Sequence, residues 1–210
     1  MSAKKHYVKF AVTFPKNHLL AGQPTYFPSK LNRTLFNLHE EGLINNYDST
    51  NYDNWVSAMG KRNTPELINN SNYQKGHTIR FTDRFKEGDI IVPQVWTGLP
   101  YKKSIDDIPA VLTIGPEIKI TKVYNINIRS REMFPLITFS EKERELFSGD
   151  IGLKKAIDLN IIHPLIILRS YNIIENDGLN SFSFNDWFKG VNANAQLIVW
   201  DERINYKTFL

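Results

Sequence analysis

A lysine, a histidine, a threonine and an arginine fall close together in "KGHTIR", residues 75 to 80 of a 210-residue chain. An amine, a hydroxyl and a guanidinium at that spacing can grip an anion or a carbonyl, because arginine offers a planar fork of donors and lysine a movable cation. Side chains alternate along an extended strand, so His77, Ile79 and Phe81 share one face and Thr78, Arg80 and Thr82 the other. Two apolar members make the His77 face the better candidate for the core. Thr78 and Arg80 then share a polar, solvent-lined face. Lys75 precedes Gly76, where the backbone can swing a side chain either way. An ordinary polar strand face is the competing reading.

The basic character continues down the chain. Residues 75 to 103 carry six basic side chains (Lys75, Arg80, Arg84, Lys86, Lys102, Lys103) against three acids (Asp83, Glu87, Asp89). Either a solvated surface or a phosphate-facing patch fits that balance. Trp96 and Tyr101 flank a "TGLP" turn, from which they could stack on a base or pack into the core. The formal net charge of +4 favours anionic partners such as nucleic acid. The chain has no cysteine, which excludes disulfides, thiolate metal sites and a cysteine nucleophile. Five dispersed histidines, His18 and His77 among them, lack metal-ligand spacing, so neither a metal nor another cofactor is expected. "GDIGLKKA" at 149 to 156 lacks the pattern of a phosphate loop. Hydrophobic residues at 41% and charged residues at 23% are ordinary for a soluble globular protein. No run approaches the roughly 20 apolar residues of a membrane span, and the first apolar run is too short for a signal-peptide core. A cytoplasmic protein that avoids membranes is the expectation.

These residues need elements to hold them. "HYVKFAVTF" reads as a first strand stopped by Pro15. A helix is expected from Ser29, as cap, to about Glu41, with Leu31, Leu35 and Leu38 on one face. Residues 42 to 74 read as irregular, with one helical turn near Trp55 to Met59. Strands follow in "HTIRFT", in "GDIIVPQVW", where Pro93 argues for an edge or bulge, and in "EIKITKVYNINI". In the last, Ile118, Ile120, Tyr124, Ile126 and Ile128 share one parity. "FSEKERELFSGD" carries a capping box for a short helix. "HPLIILRSYNII" reads as a buried strand, "SFNDWF" as a short helix capped by Ser183, and "AQLIVW" as a final strand. Trp187, Phe188 and Trp200 read as core. Many strands with scattered helices suggest an α+β domain built on a small, partly open barrel.

The order "KGHTIR", "RFKEGD", "VWTGLPY", then "NDGLNSFSFNDWF" and "QLIVW", together with the N-terminal "TFPKNHLLAGQPTYFPSKL", resembles the ASCH family, the activating-signal-cointegrator homology domains. The likeness is to its longer phage and bacterial members and spans roughly residues 7 to 104 and 170 to 200. It implies a single PUA-like β-barrel over 1–210, with short peripheral helices and 28–74 as a long inserted segment. It also implies a cleft for RNA or a nucleoside-like ligand, with Arg80, Arg84, Lys86, Trp96, Tyr101 and Lys30 as candidate binding residues.

Some ASCH proteins are amidohydrolases that deacetylate N4-acetylcytidine, using a lysine and a threonine of the "TIR" strand and a later glutamate. On that resemblance Lys75, Thr78 and Asp177 are the candidate catalytic residues, with Glu175 as an alternative acid and Lys30 as an alternative lysine. The hydroxyl would attack once a lysine acting as base takes its proton, a carboxylate would return a proton to the departing amine, and Arg80 or backbone amides would steady the oxyanion. Three readings follow: an RNA or modified-nucleoside binding protein, an amidohydrolase on acylated nucleosides, and a phage or host protein-interaction module with an unknown protein partner.

Overall fold

The computed structural model describes residues 3–61, 74–97, 108–129, 136–139 and 164–206, with side chains from 170 onward in the last stretch. The chain forms two compact units, each assembled from separated segments: 1–75 with 88–120, and 76–87 with 121–210. Helices and strands together make an α+β protein, as the sequence implies. The expected barrel is not what the ladders form. Among the described residues the strands pair in two separate sheets, neither closed on itself.

The first unit holds a mixed sheet. β1 (Lys5–Phe10) lies parallel to β3 (Ile90–Trp96), whose other side pairs antiparallel with β4 (Val111–Thr113) and β5 (Ile118–Lys119). Alternation along β1 buries His6, Val8 and Phe10 and leaves Lys5, Tyr7 and Lys9 outside. β3 is therefore an inner strand, and Pro93 sits not on an edge but at an interruption of the ladder, where residues 92–93 face 114–117. It falls where β5 has stopped pairing at Ile91 and β4 has not yet begun at Gln94, so its missing N–H costs no ladder bond on that side. The buried carboxylate of Asp89 ties the strand starts together. It accepts from the Lys4 amide at 3.2 Å and meets His6 Nε2 at 2.8 Å.

Helix α1 (Phe27–Glu40) begins two residues earlier than the sequence suggests. Ser29 is not its cap. Tyr26 occupies the cap position with φ 59°, and the Thr25 hydroxyl accepts from the Phe27 amide at 3.2 Å. Leu31, Leu35 and Leu38 are buried, as their spacing predicts. Leu35 and Pro93 both reach the bare face of Gly115, which places α1 against the inner face of the sheet. The expected irregular stretch instead contains a three-turn helix, α2 (Thr50–Lys61), which buries Trp55, Ala58 and Met59.

The second unit holds an antiparallel sheet in the order β2 (His77–Arg80), β8 (Asn192–Val199), β6 (Lys122–Arg129), β7 (Leu136–Phe139). The run expected as one strand from Ile118 divides between the sheets at Ile120 and Thr121. The predicted parity holds nevertheless: Ile118, Ile120, Tyr124, Ile126 and Ile128 are all buried. "HPLIILRSYNII" is not a strand but helix α3 (Pro164–Asn176), opened by proline at its first position and closed by Gly178 at φ 78°. Helix α4 (Ser181–Trp187) is capped by Asn180, whose side chain accepts from the Ser183 amide at 2.8 Å, rather than by Ser183. Phe188 and Trp200 are buried, as expected of core residues, and Trp187 is half-buried. The helix expected over 140–150, the "GDIGLKKA" segment, and Tyr101 with Lys102 and Lys103 lie outside the described residues. Among those described, no helix is long and apolar enough to cross a membrane.

Gly76 is where this packing is least forgiving. A β-carbon there would lie 2.3 Å from Ile204 Cδ1 and 2.9 Å from Asp201 Cβ. Gly76→Ala is expected to destabilise the protein by about 1–3 kcal/mol through overpacking. Urea denaturation followed by circular dichroism checks this, and an unchanged midpoint would contradict it.

Candidate functional site

The sequence separates Lys75 from Thr78 by two residues, but the compact units divide between Lys75 and Gly76. Lys75 belongs to the first unit and Thr78 to the second.

In the first unit the two lysines that sequence alone leaves as alternatives meet at one aromatic ring. Lys30 is carried in the first turn of α1 and is 8% exposed; Lys75 is 1% exposed. The Lys75 ammonium lies 4.0 Å from the centre of the Phe27 ring and 5.7 Å from that of Phe10. Lys30 Nζ stands 5.8 Å from the same Phe27 ring and donates to the Thr25 carbonyl at 3.0 Å. Thr34 joins the two segments: its hydroxyl accepts from the Lys75 amide at 2.7 Å and donates to the Lys30 carbonyl at 3.0 Å. The turn "AGQPT" is thereby part of this cluster, since Thr25 holds Lys30 while its hydroxyl donates to the Ala11 carbonyl at 2.6 Å. Cation–π attraction steadies an ammonium over a phenyl ring, more so when both are desolvated.

In the second unit, β2 pairs with the central β8, His77 opposite Val199 and Arg80 opposite Gln196. Alternation places His77 and Ile79 on the face with Leu197, Tyr124 and Ile126, the apolar side of the sheet. Phe81, expected on that buried face, is 53% exposed because the strand ends at Arg80; its ring rests edge-on against Phe188. Thr78 is 3% exposed, so the polar face expected at the solvent is buried at that position, while Arg80 is half-buried. Gln196 grips the basic turn that follows: its carbonyl oxygen accepts from the Phe85 amide at 3.0 Å and its amide donates to the Phe85 carbonyl at 3.2 Å. Arg84 and Lys86 project from that turn at the surface.

Asp177, from the end of α3, comes to His77. Its Oδ1 stands 3.7 Å from His77 Nε2. On the other side of the imidazole, Nδ1 lies 2.9 Å from the hydroxyl of Tyr206, which also accepts from the Asn176 amide at 3.2 Å. Hydroxyl and Nδ1 share one hydrogen bond whose direction follows the imidazole tautomer. Burial pushes the Tyr206 phenol well above its ordinary value, opposed by the Asn176 hydrogen bond and reinforced by the Asp177 charge. Burial likewise pulls the Arg80 guanidinium down, and the Asp177 carboxylate opposes that shift. Asp177 is thus electrostatically joined to His77 and Arg80. Glu175, the alternative acid, has no such role among the described interactions of this cluster.

Trp96 lies in the first unit, half-buried at the end of β3, with Lys9 Nζ 5.3 Å from its ring centre. Among the described residues no group of three or more histidine, aspartate or glutamate side chains is arranged to hold a metal ion. Two members of these clusters carry no signal in the sequence. Tyr206 reaches His77 across 129 positions, and no periodicity encodes such a contact. Phe27 is foreshadowed only by the aromatic pair that precedes Pro28. Comparisons with protein-family models, with curated proteins and with solved structures give no match to this chain.

The phenol supplies a test of the second cluster. A proton held more tightly in the folded than in the unfolded state stabilises below the unfolded value, about pH 10 for tyrosine, and the stabilisation is lost as pH rises beyond it. Wild-type stability should fall as pH climbs past about 10, and Tyr206→Phe should fall less steeply there. At neutral pH the same variant should be weaker by about 1–3 kcal/mol, since His77 and Asn176 lose a shared partner in a buried setting. Parallel urea titrations at neutral and alkaline pH check both, and identical pH slopes would contradict the first.

Proposed function

We propose that this chain is an ASCH-type protein that binds nucleic acid, RNA in the first place, or a modified nucleoside, with Lys30 and Lys75 as the groups that receive the ligand's anionic or carbonyl oxygen. The observation that carries this reading is the convergence of two buried ammonium groups on the Phe27 ring. Removing an amine from water costs several kcal/mol, and a fold that needed only stability would fill the same volume with apolar side chains. Two cations and a ring beside the start of a helix form a setting suited to a flat, oxygen-bearing ligand. The resemblance in "KGHTIR" and "AGQPTYFPSK" points to the same two lysines. PUA-like barrel topology remains part of this proposal rather than of the described sheets.

A second reading, hydrolysis of an acylated nucleoside, is favoured by the burial of Thr78 three positions after Lys75, where an activated hydroxyl would be shielded from water. In it Asp177 acts through the His77 contact. This reading makes Thr78 the nucleophile: its oxygen takes the acetyl group, cytidine leaves as the amine carrying the proton, and water then cleaves the ester to release acetate.

Lys75→Met and Lys30→Met test both. Each preserves length and removes charge; Lys30→Met leaves the Thr25 carbonyl without its donor, a cost of about 1–3 kcal/mol, and circular dichroism checks that both variants remain folded. Calorimetric titration with N4-acetylcytidine, cytidine and a short single-stranded RNA should show binding weakened at least tenfold, or about 1.4 kcal/mol. Retained binding in both folded variants would reject the proposal. Acetate release by the wild type but not by Thr78→Ala would establish the hydrolytic reading; no release across acylated nucleosides would remove it.

A further inference from the structure

We propose that the outer face of the mixed sheet in the first unit is a landing surface for single-stranded nucleic acid, with Tyr7 and Trp96 as stacking platforms and Lys9 as the phosphate contact between them. This rests on the nucleic-acid reading above and adds a surface to it, on the opposite side of the sheet from Phe10 and the lysine pair.

Register builds the surface. The outward residues of β1 are Lys5, Tyr7 and Lys9, and they stand beside Ile90, Val92 and Gln94 of β3. Continuing the same parity along β3 reaches Trp96, and across to β5 it reaches Lys119, opposite Ile90. Tyr7 is 59% exposed, far more than a ring needed for packing. Tyr7 is level with Val92, so Trp96 lies four residues further along, about 13 Å at strand rise. That distance separates two stacking positions for different bases, and Lys9 falls between them in register. The Lys9 ammonium lies 5.3 Å from the centre of the Trp96 ring, a cation–π contact that a stacking base would displace, freeing the ammonium to meet that nucleotide's phosphate. Among the described residues the face is cationic: Lys5, Lys9 and Lys119 stand with Glu117, which pairs with Lys5. Rigid strands presenting rings and cations on one face suit an unpaired strand, whose bases offer π-faces irrespective of sequence. A duplex hides those faces.

Fluorescence anisotropy with labelled oligo-U and oligo-dT, on the full chain over a range of salt, tests the proposal. Tyr7→Ala is expected to raise Kd roughly 5- to 150-fold, and Lys9→Gln to lower the slope of log K against log salt by about 0.7. Trp96 emission should be quenched on binding. Wild-type binding with both variants unchanged overturns this surface while leaving the lysine-pair reading standing. Nucleoside binding dependent on Lys30 and Lys75, without any oligonucleotide binding, does the same. Absence of both kinds of binding removes the reading and the surface together. A dimer lost on Tyr7→Ala, with oligonucleotide affinity unaffected, reassigns the face to self-association and overturns the proposal.

Discussion

The backbone at Gly76 has no room for a side chain, and the second unit is organised around that closeness. Its amide donates to the Asn176 carbonyl, and its own carbonyl accepts from the amides of Trp200 and Asp201. One residue thereby joins the start of β2, the end of α3 and the segment after β8. His77 follows immediately, so its ring direction is inherited from this junction, and the residues that flank it, Asp177 and Tyr206, come from the same two segments. A polar triad inside an apolar sheet face is expensive unless each member is satisfied. Here the Tyr206 phenol lies 2.9 Å from the His77 imidazole and accepts from the Asn176 carboxamide, and the Asp177 carboxylate stands 3.7 Å from Nε2, because three stretches of chain are drawn to one bare α-carbon.

The first unit solves a different problem. Two lysine amines are kept from water beside phenyl rings; the Thr25 carbonyl accepts from the Lys30 amine, and the Thr34 hydroxyl fixes the main chain at Lys75 by accepting from its amide N–H. The left-handed Tyr26 permits this by turning the chain so that Phe27 enters the helix with its ring toward both amines. Cost and placement together are the reason to read the cluster as functional. Neither alone would suffice, since buried ion pairs also occur in proteins for no purpose beyond packing.

Much of the fold was legible in the residues. Parity in 118–128 named the buried side of two strands, and the leucine spacing of α1 named its core face, because both are direct consequences of backbone period. The reading of 163–174 as a strand failed for a physical reason: a short, nearly continuous apolar run fits a buried strand and a buried helix alike. The discriminating signals were at its ends, proline at the start and Asn-Asp-Gly at the finish. Phe81 was placed inward by alternation continued one residue past the end of its strand. Of the candidate site, the residue types around 75–80 and the pairing of Lys30 with Lys75 as alternatives could be read from sequence. What could not be read was which groups meet. Asp177 engages His77, and the chain leaves one unit for the other between Lys75 and Gly76, because such contacts arise from long-range closure that no local pattern records.

That long-range closure bears on how the protein is made. β1 is level with a strand that lies 85 positions later, and β2 waits for β8, where His77 meets Val199. Neither sheet can close while the chain is still being synthesised up to those partners. Vectorial emergence from the ribosome therefore leaves β1, with its alternating tyrosine and lysines, without β3 until some 85 further residues have been made. The charges that decorate its outer side are well placed to keep that waiting strand from pairing with a neighbouring nascent chain.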